Sequence, residues 1–205
     1  ERRDQRRHPI YEKPQLLATR PNEVWSWDIT KLISVEKWTY YHLYVILDIF
    51  SRYVVAWMVA YRETAALAEK LLSAAIKNQN VAPGQLHIHA DRGTSMTSKA
   101  VAQLFADLGV DKSHSRPHVS DDNPFSESQF KTLKYHPSFP DKFGSLKDAL
   151  ACCRRFFNWY NNEHRHSGIA YCTPVDVHRG TAGRVIEVRQ RTLDDAFNAH
   201  PERFR

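Results

Sequence analysis

Between Val24 and Ala60 the chain carries three strand-like runs joined by short connectors, and no other feature restricts its fold as much. Val24 to Thr30 (VWSWDIT) alternates large apolar and polar side chains, the period-two pattern of a strand. Tyr40 to Phe50 (YYHLYVILDIF) is aromatic and β-branched and long enough for a central strand. Tyr53 to Ala60 (YVVAWMVA) follows after only Ser51 and Arg52, so the three runs predict an antiparallel meander. The period then changes. Thr64 to Asn80 is rich in Ala, Leu, Glu and Lys, with Leu67, Leu71, Leu72 and Ala75 on one face and Thr64 placed to cap it. Leu86 to Ala90 reads as a short strand, Ser98 to Leu108 as a helix stopped by Gly109, and Val110 to His114 as a fifth strand. After a polar loop a helix starts near Phe125 or Ser126, and a last long helix covers about Ser145 to Asn162. This order predicts an α/β fold with a mixed five-stranded sheet flanked by helices. The carboxyl ends of its strands are the default place for a site.

The chain has 205 residues, 42% hydrophobic and 25% charged, enough for one cored domain with arms. Residues 1–20 read as a basic linker, 21–178 as the core and 179–205 as a C-terminal tail. The start at Glu1, with no signal peptide, is what a piece of a longer protein would show. A net charge of +6 favours polyanionic partners, though weakly. No membrane span is expected, because no stretch approaches the roughly 20 apolar residues one needs. Three cysteines, an odd number with Cys152 and Cys153 adjacent, do not form a disulfide framework and suit a reducing cytoplasm.

Three acidic residues sit where a charge needs an explanation. Asp28 lies inside the first strand pattern, Asp91 ends LHIHA, and Glu127 stands near the start of a helix. A carboxylate in an apolar strand is costly unless it is paired or bound to a metal. Carboxylate oxygens are the ligands that Mg²⁺ or Mn²⁺ prefers, and three carboxylates with one shared can hold two ions. The same positions also suit an Asp that caps a helix or pairs with Arg. Asp48, inside the second strand, is a rival that can pair with Arg52 or cap the turn.

WSWDIT at 25–30, LDIFSRYVVAW at 47–57, HADRGTSMTS at 89–98, NPFSESQFKTLK at 123–134 and FFNWYNNEHRHSGIAYCTP at 156–174 resemble the integrase-like transposases of bacterial insertion sequences, in particular the insertion-sequence-three family, cousins of retroviral integrases. Thirty-five residues separate Asp91 from Glu127, the family's DD(35)E spacing. The resemblance implies a ribonuclease H-like fold. It implies metal-dependent cleavage at transposon ends, followed by strand transfer from the freed 3′ hydroxyl. Asp28 would bridge two Mg²⁺ or Mn²⁺ ions, Asp91 would hold one and Glu127 the other. Lys131 and Lys134 lie four and seven residues past Glu127, on its helix face, where they can meet DNA phosphate. The resemblance also implies a homo-oligomer on paired DNA ends, an upstream helix-turn-helix region and a bacterial, nucleoid-associated setting. Two departures, Ala90 where many relatives have Ser and His164-Arg165-His166 where many have Arg-Pro-His, bear on DNA contacts and not on the carboxylates.

Arg92, just past Asp91, and His89, two residues before it, are further candidate DNA contacts. His87-Ile88-His89 lacks a third ligand at zinc spacing, so a structural or substrate-facing His is favoured over zinc. Adjacent helical cysteines point about 100° apart, which argues against one ion between Cys152 and Cys153. Most of the five tryptophans fall in strand and helix patterns and are expected in the core.

Overall fold

The centre of the molecule is β1 (Val24–Ile33), hydrogen-bonded on both edges. On one side it pairs antiparallel with β2 (Tyr40–Asp48), which pairs antiparallel with β3 (Val54–Ala60). On the other it pairs parallel with β4 (His87–Ala90), and β4 with β5 (Asp111–His114). The resulting order, β3-β2-β1-β4-β5, is the mixed five-stranded sheet that the sequence predicts. The computed structural model describes residues 17–91, 98–114 and 123–204.

Strand alternation sorts the side chains to two faces. Trp25 and Trp27 of β1, Tyr44 and Ile46 of β2, and Ile88 and Ala90 of β4 share one core with α1 (Ala65–Asn78) and α2 (Lys99–Asp107). Leu32 of β1, with Leu43, Val45 and Leu47 of β2, joins a second core under α3 (Pro124–Lys134) and α4 (Leu146–Asn162). The helix starts fall at the residues that can cap them. Thr64, Ser98 and Ser145 each accept a hydrogen bond from a backbone N–H three residues on. Two further helices follow, α5 (Pro174–His178) at the end of the region read as the core and α6 (Ala182–Ala199) in the region that reads as a tail. α6 buries none of its residues, and Arg189 ties it to the loop below by donating to the carbonyls of Ala170 (2.8 Å) and Tyr171 (2.6 Å). Among the described residues no helix is long and apolar enough to cross a membrane. Cys152, Cys153 and Cys172 are buried free thiols.

The block Phe156 to Asn161 shows how one helix both fills the core and closes the sheet edge. Phe156, Phe157 and Tyr160 fill the second core. Asn161, also buried, uses its carboxamide as a substitute strand: Oδ1 accepts from Val54 N–H at 2.9 Å and Nδ2 donates to Val54 C=O at 3.0 Å. This clips α4 to β3, the sheet's edge, and covers backbone groups that would otherwise be buried unpaired.

Asn161→Ala should therefore cost about 2 kcal/mol or more in urea unfolding, since it strands one buried donor and one buried acceptor. Asn162→Ala is the control: Asn162 is exposed and bonds only within its own helix, to Asn158, and its loss should shift stability by less than about 0.5 kcal/mol. Equal effects of the two changes would remove the edge clip from the account.

Candidate active site

The parallel ladder between β1 and β4 decides where the first two carboxylates meet. Trp27 stands opposite Ala90, so Asp28 and Asp91 are each the next residue along adjacent parallel strands. Trp27 and Ala90 face the α1/α2 core, and alternation turns Asp28 and Asp91 to the other side, under α3. Glu127 lies in the first turn of α3, which packs on β1 and β2. The three are thus brought to one face of the sheet and into one another's field. The Asp28 carboxyl is pushed up to about 7, first by burial and then by the negative charges of Asp91 and Glu127. The Ile29 N–H, which donates to Asp28 Oδ1 at 2.7 Å, and the Lys134 ammonium oppose the shift.

α3 is fastened to β1 by buried hydroxyls that the sequence reading missed. Ser26, two residues before Asp28 and on the same strand face, donates to Asn123 Oδ1 at 2.5 Å and meets Ser126 Oγ at 2.5 Å. All three side chains are buried. Asn123 is the residue before the helix and makes no side-chain cap of its own, because its oxygen is taken by Ser26; Pro124 opens the first turn instead. The clamp ties the helix start to the strand that carries Asp28 and so sets the position of Glu127. The available signal was a small polar residue between two tryptophans, together with the Asn-Pro and Ser ahead of Glu127.

The other face of α3 is held by Phe130 and Leu133, both buried in the second core. Lys131 and Lys134 are exposed on the stripe that carries Glu127, as the helical spacing predicts. Lys134 Nζ donates to Thr30 Oγ1 at 2.8 Å, which parks its ammonium two residues along the strand from Asp28.

His89, an expected DNA contact, is enclosed within the sheet. His89 is 1% exposed, and its Nδ1 shares the Ser113 hydroxyl with His87 Nε2, each at 2.8 Å. It pins β4 to β5 and offers no surface to DNA, so its expected DNA contact is corrected to a structural one. Arg92 and the arginines of the basic linker lie outside the described residues. The rival Asp48 is fully buried and consumed by the turn: it accepts from Asn22 N–H (2.6 Å), Ser51 N–H (2.8 Å) and Ser51 Oγ (2.7 Å).

Among the described residues no three His, Cys, Asp or Glu side chains already stand at metal-ligand spacing. The donor chemistry nonetheless fits a hard divalent cation, since Asp28, Asp91 and Glu127 offer only carboxylate oxygens and their charges oppose one another.

Without metal, that repulsion has a sign in stability. Asp28 titrates near 7 in the folded chain against 3.8 as its ordinary value, so the folded state holds the proton more tightly. Stability therefore falls as pH rises from about 4 to about 7. In EDTA at pH 8, Asp28→Asn should be more stable than wild type by ~2 kcal/mol, and the gain should vanish near pH 4. A variant less stable than wild type at pH 8 in chemical denaturation would contradict the assignment of strain to Asp28.

Comparison with known proteins agrees with the fold. One integrase core domain model matches residues 18–120 and a second matches residues 108–174. The transposase of insertion sequence element IS904 from Lactococcus lactis is 32% identical over 78% of this chain and 62% of its own length. The InsF transposase of insertion sequence IS3A from Escherichia coli is 31% identical over 77% of this chain and 54% of its own. The chain thus spans little more than half the length of these relatives. Among solved structures, the HTLV-2 integrase catalytic core domain in complex with magnesium, in its trimeric form, superposes with a TM-score of 0.60 at 19% identity, over 79% of this chain and 99% of that one. The fold is therefore the ribonuclease H-like fold of integrase catalytic cores. With half its residues under one integrase core model and most of the remainder under another, the chain belongs to the integrase core-domain family.

Proposed function

We propose that this chain is the catalytic core of an insertion-sequence transposase, which cuts DNA at the element's ends and joins the freed 3′ hydroxyl to a second strand. The observation that supports the reading is that Asp28, within β1, and Asp91, just past the end of β4, follow paired residues of adjacent parallel strands, and that the charges of Asp91 and Glu127 add to the burial that raises the Asp28 carboxyl to about 7. A structural salt bridge would lower an Asp, and a turn cap such as Asp48 is surrounded by donors. A carboxylate kept near two others is a ligand set waiting for positive charge.

Asp28, Asp91 and Glu127 would hold two Mg²⁺ or Mn²⁺ ions, with Asp28 shared. Bound there, the ions supply Lewis-acid activation of the attacking oxygen and neutralise charge on the phosphate. The magnesium held by the HTLV-2 core of the same fold supports the choice of ion. The residues of the chain do the rest. Ser26, Asn123 and Ser126 fix Glu127 against the strand. Lys134, held at Thr30, and Lys131 present ammonium groups to DNA phosphate along the same helix stripe. Water attacks the phosphodiester in line, the P–O3′ bond breaks, and the leaving oxygen becomes a 3′ hydroxyl. That hydroxyl attacks a second phosphodiester and displaces its 3′ oxygen in turn. Two in-line displacements at one site require no covalent enzyme intermediate. The net charge of +6 suits the DNA partner, and the trimeric form of the HTLV-2 core supports association of several copies.

In the full-length protein, Asp28→Asn, Asp91→Asn and Glu127→Gln should each lower cleavage and strand transfer by at least ~10³-fold, while DNA affinity changes only a few-fold. Near wild-type joining by any one of them, assayed with pre-cut ends, would remove that residue from the site. Lys134→Ala should weaken strand transfer and reduce the salt dependence of DNA binding by about one unit of log–log slope, the loss of one phosphate contact. An unchanged slope with unchanged joining would leave Lys134 as a partner of Thr30 only.

A further inference from the structure

One tryptophan stands apart from the other four. Trp25 and Trp27 are fully buried and Trp57 and Trp159 half-buried, whereas Trp38 is 80% exposed. It sits at the tip of the β1–β2 hairpin, between Ile33 and Tyr40. Its φ of 64 lies in the left-handed region, where a large side chain is strained and glycine is at ease. An exposed tryptophan in a glycine conformation adds little burial to the fold, and strained positions of this kind cluster at functional sites.

The backbone of the tip is tied down on two sides. Val35 N–H donates to Phe143 C=O at 3.0 Å and Phe143 N–H donates to Ile33 C=O at 2.9 Å, with Phe143 itself buried in the second core. Across the turn Ser34 N–H donates to Thr39 C=O at 3.1 Å and Thr39 N–H to Glu36 C=O at 3.2 Å. Glu36 N–H donates to the hydroxyl of the buried Ser34 at 3.2 Å. None of these bonds uses the indole; they hold the backbone that presents it.

Ammonium groups flank the exposed rings. Lys37 Nζ lies 5.8 Å from the Trp38 ring centroid, and Lys31 Nζ lies 5.3 Å from that of Tyr40, also exposed. Lys142, next to Phe143, is exposed as well, against the acids Glu36 and Asp141 of the same stretches. A flat aromatic face beside ammonium groups matches a nucleotide, the ring for its base or sugar and the cation for its phosphate. The tip also lies in line with the carboxylates. α3 is tied to Ser26 at its start and to Thr30 at its end, so the stripe of Glu127, Lys131 and Lys134 runs along β1 towards the hairpin. From Asp28 to the tip is about six residues of extended strand, roughly 20 Å, or about six base pairs of duplex.

We propose that the β1–β2 tip is a second DNA contact, with Trp38 against a nucleotide about six base pairs from the scissile phosphate and Lys37 at the phosphate beside it. The inference rests on the transposase reading and deepens it: a contact remote from the carboxylates fixes the direction in which the duplex leaves the site.

The test uses the full-length protein and duplexes carrying an end of its element, shortened stepwise from either side of the cleavage site. Anisotropy reports binding. Wild type should lose about tenfold in affinity at one step, where the duplex on one side falls below about six base pairs. Trp38→Gly should bind the long duplex as weakly as wild type binds the short one, with no step, while its melting temperature is unchanged or raised. Trp38→Phe should keep the step. Lost DNA contact without lost stability is a pair that a merely structural tryptophan would not produce. An affinity for the long duplex that survives Trp38→Gly, or a loss equal on long and short duplexes, overturns the inference and leaves the transposase reading standing. So does a lowered melting temperature, or a change of oligomeric state in light scattering, which would turn the tip towards another copy of the chain. Failure of wild type to bind any element end overturns both.

Discussion

The structure is organised around a carboxylate in an expensive place. Asp28 lies on the central strand, half-buried, with two further carboxylates in its field and its own carboxyl pushed up to about 7. A strand flanked on both edges can hold such a group rigidly, because β2 and β4 fix its backbone from either side. The cost of that position is met by the packing of Trp25 and Trp27 on the opposite face, each fully buried in the α1/α2 core. The proposed chemistry and the stability thus fall on alternate residues of one strand.

A second level of organisation is the attachment of α3. Its start is tied to β1 through Ser26, Asn123 and Ser126, its lower face is packed through Phe130 and Leu133, and its upper stripe carries Glu127, Lys131 and Lys134. A helix fixed by buried hydrogen bonds at one end and by apolar contacts along its length has little freedom to rotate, so Glu127 is held towards the strand ends.

Much of this was legible in the sequence, for reasons that can be named. The alternation through Val24 to Thr30 put Asp28 opposite the tryptophans, and the short connectors up to Ala60 allowed only a meander. Thr64, Ser98 and Ser145 marked helix starts because their hydroxyls compete for the first free N–H groups. What failed was depth and partnership. Periodicity shows which face a residue takes but not how far it is covered, and His89, on the face of Asp91, is sealed against Ser113 rather than open to DNA. The Ser26 clamp joins residues about a hundred positions apart, and no local pattern reports such a bond. α6 was read as a tail although Ile186, Leu193 and Phe197 stand at helical spacing; in the structure these side chains are exposed and the helix buries none of its residues.

The claim on which all of this rests is that Asp28, Asp91 and Glu127 together form one divalent-cation site. Crystals of the domain soaked in Mn²⁺ and measured at the manganese absorption edge test it most directly. The account predicts an anomalous peak bonded to oxygens of both Asp28 and Asp91, with Glu127 directed at the same position or at a second peak beside it. Manganese at saturating concentration that binds elsewhere, or leaves these three carboxylates without a peak, would contradict it.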